Sequence, residues 1–214
     1  MQTIARGIAF IDLMFLGKPR IIATAVLQSA GGVTLVDPGP STCADTLKAE
    51  LAAHGIAVTD VRSILLTHIH LDHAGATGSL CLENPNIQVY VHERGASHMV
   101  DPAKLLSSAN RLYGEDMDRL WGEFLPVPQD NVHVLEGGER VNLTDRELEV
   151  AYTPGHASHH VSFLDRSSGV AFVGDTAGVR TGGELFAMPP TPPPDIDIGT
   201  WKASMAQIER WQAE

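Results

Sequence analysis

The sequence is poor in cysteine and in long apolar segments. Cys43 and Cys81 are the only two cysteines in 214 residues, which is more typical of free thiols in a reducing compartment than of a disulfide framework. No stretch approaches the roughly 18 apolar residues that a membrane-spanning helix needs. The first residues also lack the basic-then-apolar layout of a secretion signal. We therefore expect a cytoplasmic protein that does not bind membranes.

Positive charge is scarce as well. The chain carries 15 Lys and Arg against 26 Asp and Glu, which gives a formal net charge of −11. No run of basic residues interrupts this excess, and an acidic surface repels a nucleic-acid backbone. We therefore expect no nucleic-acid partner, and a small molecule as the substrate.

Apolar content is ordinary, at 43% of the residues. A chain of this length buries roughly 70% of its unfolded surface, so we predict a single domain over residues 1–214 with a helical insertion at about 102–125. Short apolar runs alternate with helical stretches, which indicates two strand-rich halves around helices. The predicted strands are 8–13, 21–28, 33–36, 61–66, 89–91, 132–135, 139–143, 147–152, 161–164 and 170–173; the predicted helices are about 42–54, 74–82, most of 102–125, and a last helix that opens at Asp197 or Thr200.

A dense group of imidazole and carboxylate side chains follows the predicted strand 61–66. It reads Thr67-His68-Ile69-His70-Leu71-Asp72-His73-Ala74-Gly75. Two further motifs lie downstream, Thr153-Pro154-Gly155-His156 and Gly174-Asp175-Thr176. Imidazole and carboxylate are the side chains that hold divalent transition metals. These three motifs therefore predict a metal site.

The histidine spacing indicates one site with three imidazoles. His68 and His70 alternate along an extended segment, so both can face one side, and His156 arrives from a separate loop. Three neutral imidazoles form a tetrahedral site with one position left open for water.

The carboxylates indicate a second site beside the first. Asp72 and His73 would hold a second ion, and Asp175 is the natural carboxylate to bridge the two. Two divalent ions, less these two carboxylates and a bridging hydroxide, leave a charge of about +1. Such a surplus would hold an anionic group or polarise a carbonyl.

These motifs, preceded by Val36-Asp37-Pro38-Gly39, resemble the metallo-β-lactamase superfamily over about residues 20–200. The resemblance implies the α+β class, as an αββα four-layer sandwich with the site at one edge of its two sheets. It implies the ligand set His68, His70 and His156 on a first metal, Asp72 and His73 on a second, and Asp175 between them.

The branch that the chain resembles most is that of the glyoxalase-II-like hydrolases, with their lactonase and thioesterase relatives. His70 stands where flavodiiron-type oxidases carry an acid. His73 stands where the main class of zinc β-lactamases has a residue that is not a ligand.

Other residues are assigned supporting roles. The family places an aspartate like Asp37 behind the metal histidines, although Asp-Pro-Gly is also an ordinary turn. We expect His160, like His159, to fill space behind the ligands or to cap a turn. Tyr113, Met117 and Phe186 are candidates for a substrate pocket, with core packing as the alternative.

One departure from the family pattern concerns the end of the chain. In the two-metal hydrolases a further late histidine completes the second site, whereas this sequence has no histidine after His160 and stops at Glu214 inside a predicted helix. We therefore expect either that the natural protein is longer and the fold here lacks its C-terminal end, or that fewer protein ligands hold the second metal.

The function implied is that of a metal-dependent hydrolase. A metal-bound hydroxide would cleave an ester, thioester or lactone, with Asp72 as the candidate catalytic carboxylate and Zn²⁺ as the cofactor, two ions per chain or one, with iron or manganese as alternatives. The competing hypotheses are a mononuclear iron enzyme similar to persulfide dioxygenases and a truncated module that binds metal without turnover. Exposed aromatic residues on the 102–125 helices are candidates for a homodimer interface.

Overall fold

The computed structural model describes residues 1–180, 186–192 and 195–213. Its strands form two sheets. The seven strands of the first sheet are β1 (Gln2–Ala5), β2 (Ile8–Asp12), β3 (Ala23–Ser29), β4 (Gly32–Val36), β5 (Val61–Leu65), β6 (Gln88–His92) and β7 (Val132–Leu135). The four strands of the second sheet are β8 (Arg140–Asn142), β9 (Glu147–Tyr152), β10 (Val161–Asp165) and β11 (Val170–Phe172).

Helices connect and cover these sheets. They are α1 (Ala44–Ala53), α2 (Leu71–Ala74), α3 (Thr77–Glu83), α4 (Glu93–Val100), α5 (Ala103–Tyr113), α6 (Met117–Leu120) and α7 (Ile198–Glu209). In the described part of the chain, no helix combines the length and the apolar character needed to cross a membrane.

The first sheet changes from antiparallel to parallel pairing along its width. Strands β1 to β4 pair antiparallel, whereas β4 to β7 pair parallel. Parallel neighbours need crossover connections, which α1, α3 and the α4–α6 segment supply. The register pairs Val36 at the end of β4 with Leu65 at the end of β5, so the residues that follow these two strands emerge side by side at one edge of the sheet.

The apolar side chains form two layers. Between the two sheets lie Leu27, Leu65, Val150 and Phe163, each at most 3% exposed. The other layer fills the space between the first sheet and its helices, and it includes both cysteines, which are buried and unpaired. This layered α+β arrangement confirms the predicted αββα sandwich.

Helix α7 packs against the loops of the second sheet. Gly155 has φ +134°, and a Cβ there would lie 2.3 Å from the Cα of Trp201, so only glycine permits this approach. Ser204 donates a hydrogen bond of 2.7 Å to the carbonyl of Pro154. The helix is therefore attached directly to the loop that contains His156.

Two elements are absent from the sequence prediction. Strand β1 is largely exposed, and α4 buries little besides Gly95, Ala96 and Met99; both elements are short and contain few large apolar residues. The predicted insertion at 102–125 is also less continuous than expected, because a 3-10 turn at Gly114–Asp116 separates α5 from α6.

Arg146, between β8 and β9, forms a buried ion pair with Asp165 at the end of β10 and also connects the two sheets. Arg146 also donates to the carbonyls of Gln28, at 3.1 Å, and Arg6, at 2.5 Å. Asp165 is fully buried and accepts from Ser167 as well. Burial alone would raise the pKa of Asp165, but the hydrogen bonds from Ser167 and Ser168 and the charge of Arg146 outweigh it and lower that pKa.

We expect Asp165→Asn to reduce the free energy of unfolding by about 3 kcal/mol at pH 7, since it leaves a buried arginine without its partner. Because the folded-state pKa is depressed, this stabilisation is complete above the unfolded pKa of about 4 and is lost as the pH falls through the folded value. Urea titrations of wild type and variant should therefore converge under acid conditions. Glu149→Gln, which removes a contact with the exposed Arg166, serves as the control. If the difference in free energy of unfolding between wild type and Asp165→Asn did not change with pH, the assignment would be contradicted.

Candidate metal centre

The candidate centre begins where β5 ends. After the buried strand the chain runs through Thr67–His70, and His70 itself is extended, with φ −60° and ψ 151°. The short helix α2 starts at the next residue and carries Asp72 and His73. One strand-to-helix turn thus presents four of the predicted donors.

The remaining donors come from the second sheet. His156 lies in the loop between β9 and β10, and Asp175 lies in a 3-10 turn, Gly174–Ala177, directly after β11. The backbone N–H of Val161 donates to the carbonyl of Thr67 at 2.8 Å. This hydrogen bond joins the ends of β5 and β10, so the two sets of donors meet at one edge of the sandwich.

Six predicted ligands come together there, five of them in two compact groups. One group is His68, His70 and His156, the other is His68, His73 and Asp175, and the donor atoms of each lie within 4.8 Å of one another. The Nε2 atom of His156 is 2.9 Å from Nδ1 of His70 and 3.4 Å from Oδ2 of Asp175. The Nε2 atom of His73 is 3.3 Å from Oδ1 of Asp175. The Asp175 carboxylate therefore reaches both groups.

Asp72 stands at the margin of this cluster. Its Oδ2 atom is 3.7 Å from Nε2 of His73, and its side chain is 37% exposed. It belongs to neither compact group but lines the neighbouring cavity. It is therefore placed to act both on an ion and on a bound molecule.

Asp37 anchors two of the histidines from behind. Its Oδ1 atom accepts the backbone N–H of Thr67 at 2.8 Å, and its Oδ2 atom accepts the Thr67 hydroxyl at 2.6 Å and the Nδ1–H of His73 at 2.9 Å. Asp37 follows β4 with φ +51°, a left-handed conformation that aspartate tolerates better than most residues. The parallel register of β4 and β5 explains why Asp37 and Thr67 meet.

This anchor determines the tautomer of His68. A carboxylate only accepts hydrogen bonds, so the Thr67 hydroxyl donates to Asp37, and its oxygen is left to accept from Nδ1–H of His68 at 3.1 Å. The Nε2 atom of His68 then carries a lone pair. That atom is buried and has no hydrogen-bond partner among the described residues, although an unpaired buried polar atom is costly. A metal ion in the adjoining donor group would satisfy it, so the residues present fit a metal.

His156 and His73 are oriented in the same way. Nδ1–H of His156 donates to the carbonyl of Pro190 at 2.9 Å, which leaves its Nε2 facing His70 and Asp175. His73 donates Nδ1–H to Asp37 and likewise presents Nε2. An outward Nδ1–H bond that fixes the ligating nitrogen is the usual arrangement around metal-bound histidines.

His160 and His159 occupy different positions. Both nitrogens of His160 are engaged: Nε2 accepts the backbone N–H of Asp175 at 3.3 Å, and Nδ1 lies 3.0 Å from Oγ1 of Thr153. His160 thus lies behind Asp175 and positions its turn. His159 accepts the backbone N–H of Ile69 at Nδ1, at 3.4 Å, and lines the cavity.

The electrostatics favour neutral imidazoles at His68 and His70. Burial, followed by the neighbouring histidines, holds the pKa values of His68 and His70 well below the ordinary range. Burial also acts to lower the pKa of His73, but Asp72, Asp37 and Asp175 outweigh it and raise that pKa well above its usual value. The carboxyl of Asp175 is kept ionised, since His73 and His156 overcome the effect of burial and lower its pKa. Metal ligands must be deprotonated, so His68 and His70 are ready to bind at neutral pH.

A cavity of about 710 Å³ opens directly onto the donors. Tyr113 lines it, as do His70, Asp72 and Asp175. Of the other predicted pocket residues, Met117 instead packs against the helix-side core, and Phe186 is 72% exposed and lies outside the cavity wall. The sequence analysis did not identify Thr67 or Pro190 as functional, nor the basic residues of α4 and α5 that line this cavity.

Comparison with known proteins agrees with this geometry. The sequence profile of the metallo-beta-lactamase superfamily matches residues 17–210. The chain belongs to that superfamily. The prediction made from the three motifs is therefore confirmed, including the relation to glyoxalase-II-like members.

Individual relatives define this membership further. The metallo-beta-lactamase fold-containing protein ST1585 of Sulfurisphaera tokodaii is 34% identical over 150 residues, which cover 68% of this chain and 55% of the relative. A hydroxyacylglutathione hydrolase of Aeromonas hydrophila is 29% identical over 154 residues, which cover 71% of this chain and 45% of the relative. The crystal structure of the family protein TTHA1429 from Thermus thermophilus superposes with a TM-score of 0.75 at 25% identity, covering 97% of this chain and 71% of that one.

The chain spans about half the length of the curated relatives it matches. The chain therefore belongs to a metallo-hydrolase superfamily, and its histidine-rich donor groups could hold a metal.

Proposed function

We propose that this protein hydrolyses an ester, thioester or lactone with the help of divalent zinc. His68, His70 and His156 would hold one ion, Asp72 and His73 would hold a second, and Asp175 would lie between the two. The observation that carries the proposal is the buried Nε2 atom of His68, which belongs to both donor groups and has no hydrogen-bond partner in the part of the chain that the structure describes. The relation to hydroxyacylglutathione hydrolases supports cleavage of an activated acyl bond.

Zinc held at such a site lowers the pKa of water and polarises a carbonyl oxygen. The protein's own contribution is to prepare and orient the donors. Asp37 and Thr67 hold His68 and His73, the Pro190 carbonyl holds His156, and the His160 ring supports the turn of Asp175. With only Asp72 and Asp175 as anionic donors, the charge of two divalent ions is half neutralised, and the remainder favours an oxyanion.

Asp72 is our candidate for proton transfer. It belongs to neither compact group, and its carboxylate is partly exposed and lines the cavity. A carboxylate beside the reacting carbonyl can take a proton from water and pass it to the leaving group, provided that it lies within hydrogen-bond reach of both.

Removal and restoration of zinc test this proposal. We expect chelated protein to lose at least about 100-fold in thioester or lactone hydrolysis, which corresponds to the several kcal/mol that a metal supplies. Added zinc should restore both the activity and a metal content of one to two ions per chain, measured by elemental analysis. The assay should compare one thioester, one lactone and one aryl ester.

Hydrolysis that persists after complete removal of metal would overturn the proposal. Activity that appears only with ferrous iron, and with uptake of oxygen on a persulfide, would favour the dioxygenase hypothesis instead. Metal binding without turnover of any substrate class would favour a binding module.

A further inference from the structure

Part of the wall of the cavity that contains the metal donors is basic. Arg94 and His98 on α4, and Lys104 and Arg111 on α5, line the same 710 Å³ space as His70 and Asp175. This is unexpected in a chain with a net charge of −11 and only 15 basic residues. The sequence shows no basic run because these residues are brought together by the packing of α4 beside α5.

Helical spacing explains why these side chains share one face. Lys104, Ser108 and Arg111 follow one another at intervals of four and three residues, and Arg94 and His98 are four apart. All five line the cavity. Lys104 and Arg111 are separated by about 10 Å along the axis of α5.

The positions of Lys104 and Arg111 along α5 show how far each lies from the metal donors. Tyr113, at the carboxyl end of α5, lies near Asp72: the pKa of its hydroxyl is raised by burial and further by the Asp72 charge. Arg111 is only two residues from that end, whereas Lys104 lies near the start of the helix. The basic wall therefore extends from the neighbourhood of Asp72 along α5 toward the start of that helix.

These cations are not neutralised within the described part of the protein. Arg94, Lys104 and Arg111 take part in none of its ion pairs, whereas Arg119 and Arg140 are paired with acids. The carboxylates that line the cavity are Asp72 and Asp175, which belong to the donor cluster, and Asp195, which accepts a hydrogen bond from Ser158 at 2.9 Å. Unpaired guanidinium and ammonium groups facing a cavity are suited to bind an anion.

We propose that Lys104 and Arg111, with Arg94 and His98 of the neighbouring helix α4, form a subsite for a carboxylate carried by the substrate several bonds away from the acyl group that is cleaved. This inference rests on the proposed hydrolase function, which it narrows to acyl compounds with a second, anionic end. The hydrophobic residues Leu105 and Ala109 line the same cavity and would contact the carbon chain between the two ends.

Matched thioesters test the subsite directly. The adipoyl monothioester of N-acetylcysteamine and its terminal carboxamide differ only in charge, and a six-carbon chain avoids the self-cleavage of shorter dicarboxylic thioesters. A second pair carries the carboxylate or carboxamide on the thiol side, as thioesters of 3-mercaptopropionate and its amide. We expect kcat/KM to favour the carboxylate in one of the pairs by about 10-fold or more, as expected for a charge-assisted contact.

The double variant Lys104→Gln/Arg111→Gln should reduce this preference to near unity, mainly through a higher KM for the carboxylate substrate. Both side chains are exposed at the surface of α5, so the fold should tolerate the change, which circular dichroism can check. Arg119→Gln is the matched control, because Arg119 lies in the neighbouring helix, pairs with Asp116 and does not line the cavity. Its preference should equal that of the wild type.

A binding measurement separates failure of the subsite from failure of the hydrolase proposal. Calorimetry with adipate and with adipic monoamide, on zinc-loaded protein, should show tighter binding of the dianion in wild type and loss of that difference in the double variant. If no thioester is cleaved but this difference is present, the hydrolase proposal fails and the subsite stands. If both thioester pairs are cleaved without preference for the carboxylate over the carboxamide, the subsite is overturned. It is also overturned if wild type and double variant show the same substrate preference and the same difference in binding between adipate and its monoamide.

Discussion

Replacing His70 with alanine is expected to remove most of the bound metal and at least about 100-fold of the hydrolytic activity. The Nδ1 atom of His70 lies 2.9 Å from Nε2 of His156 in the first donor group, and alanine supplies no donor there. A tetrahedral site that loses one of three protein ligands is left with two. Elemental analysis of purified protein and a thioester assay measure the two effects together.

The control for this change is His133→Ala. His133 is exposed on β7, where its Nε2 atom lies 2.6 Å from the side chain of Gln88, and it takes no part in the donor groups. Metal content and activity should remain close to those of the wild type. Equal metal content and activity in the two variants would rule out the assignment of the centre.

Asp37→Asn should weaken metal binding about 10- to 100-fold although it removes no ligand, which is the range seen when the outer partners of ligating histidines are changed. Asparagine also tolerates the positive φ of this position, so the backbone need not rearrange. Its amide oxygen can replace Oδ2, which receives two donors, but its NH₂ group then faces the N–H of Thr67. This leaves a buried donor unsatisfied, and we expect stability to fall by about 1–3 kcal/mol.

Two measurements separate the effects of Asp37→Asn. Urea unfolding of the chelated protein reports the loss of stability alone, and competition with a chelator reports metal affinity. Asp12→Asn is the matched control, since Asp12 also accepts backbone N–H groups, from Met14 and Arg20, at a strand end outside the donor cluster. A normal affinity in Asp37→Asn would mean that its hydrogen bonds do not orient the histidines.

The donors were accessible from sequence because they are concentrated in short motifs. His68, His70, Asp72 and His73 come from one turn, and a strand followed by polar residues is a local pattern. The strands that carry these motifs were likewise predictable, since β5 and β10 are short segments rich in Val, Ile, Leu and Phe. The αββα arrangement itself depended on the family resemblance, because periodicity does not define how two sheets pack.

The parts that sequence could not supply are those that depend on contacts between distant segments. The Pro190 carbonyl that orients His156 is a backbone group, so its role leaves no trace in residue type. Thr67 was visible only as the first residue of a motif, and its relay between Asp37 and His68 follows from the register of β4 and β5. The basic wall likewise required α4, an eight-residue helix with few large apolar residues, and its packing beside α5.

The origin of the donors in two different sheets has a consequence for the protein as a whole. His68, His70 and His73 follow the first sheet, whereas His156 and Asp175 follow the second, and Trp201 of α7 donates to the carbonyl of Thr176 at 2.7 Å. An ion held by both sets would act as a noncovalent cross-link between the halves of the sandwich. Because the unfolded chain does not keep these groups together, the free energy of metal binding would become free energy of folding. This chain has no disulfide among its described residues. Metal binding would therefore determine how strongly the two halves of the sandwich are held together, as well as the chemistry of the site.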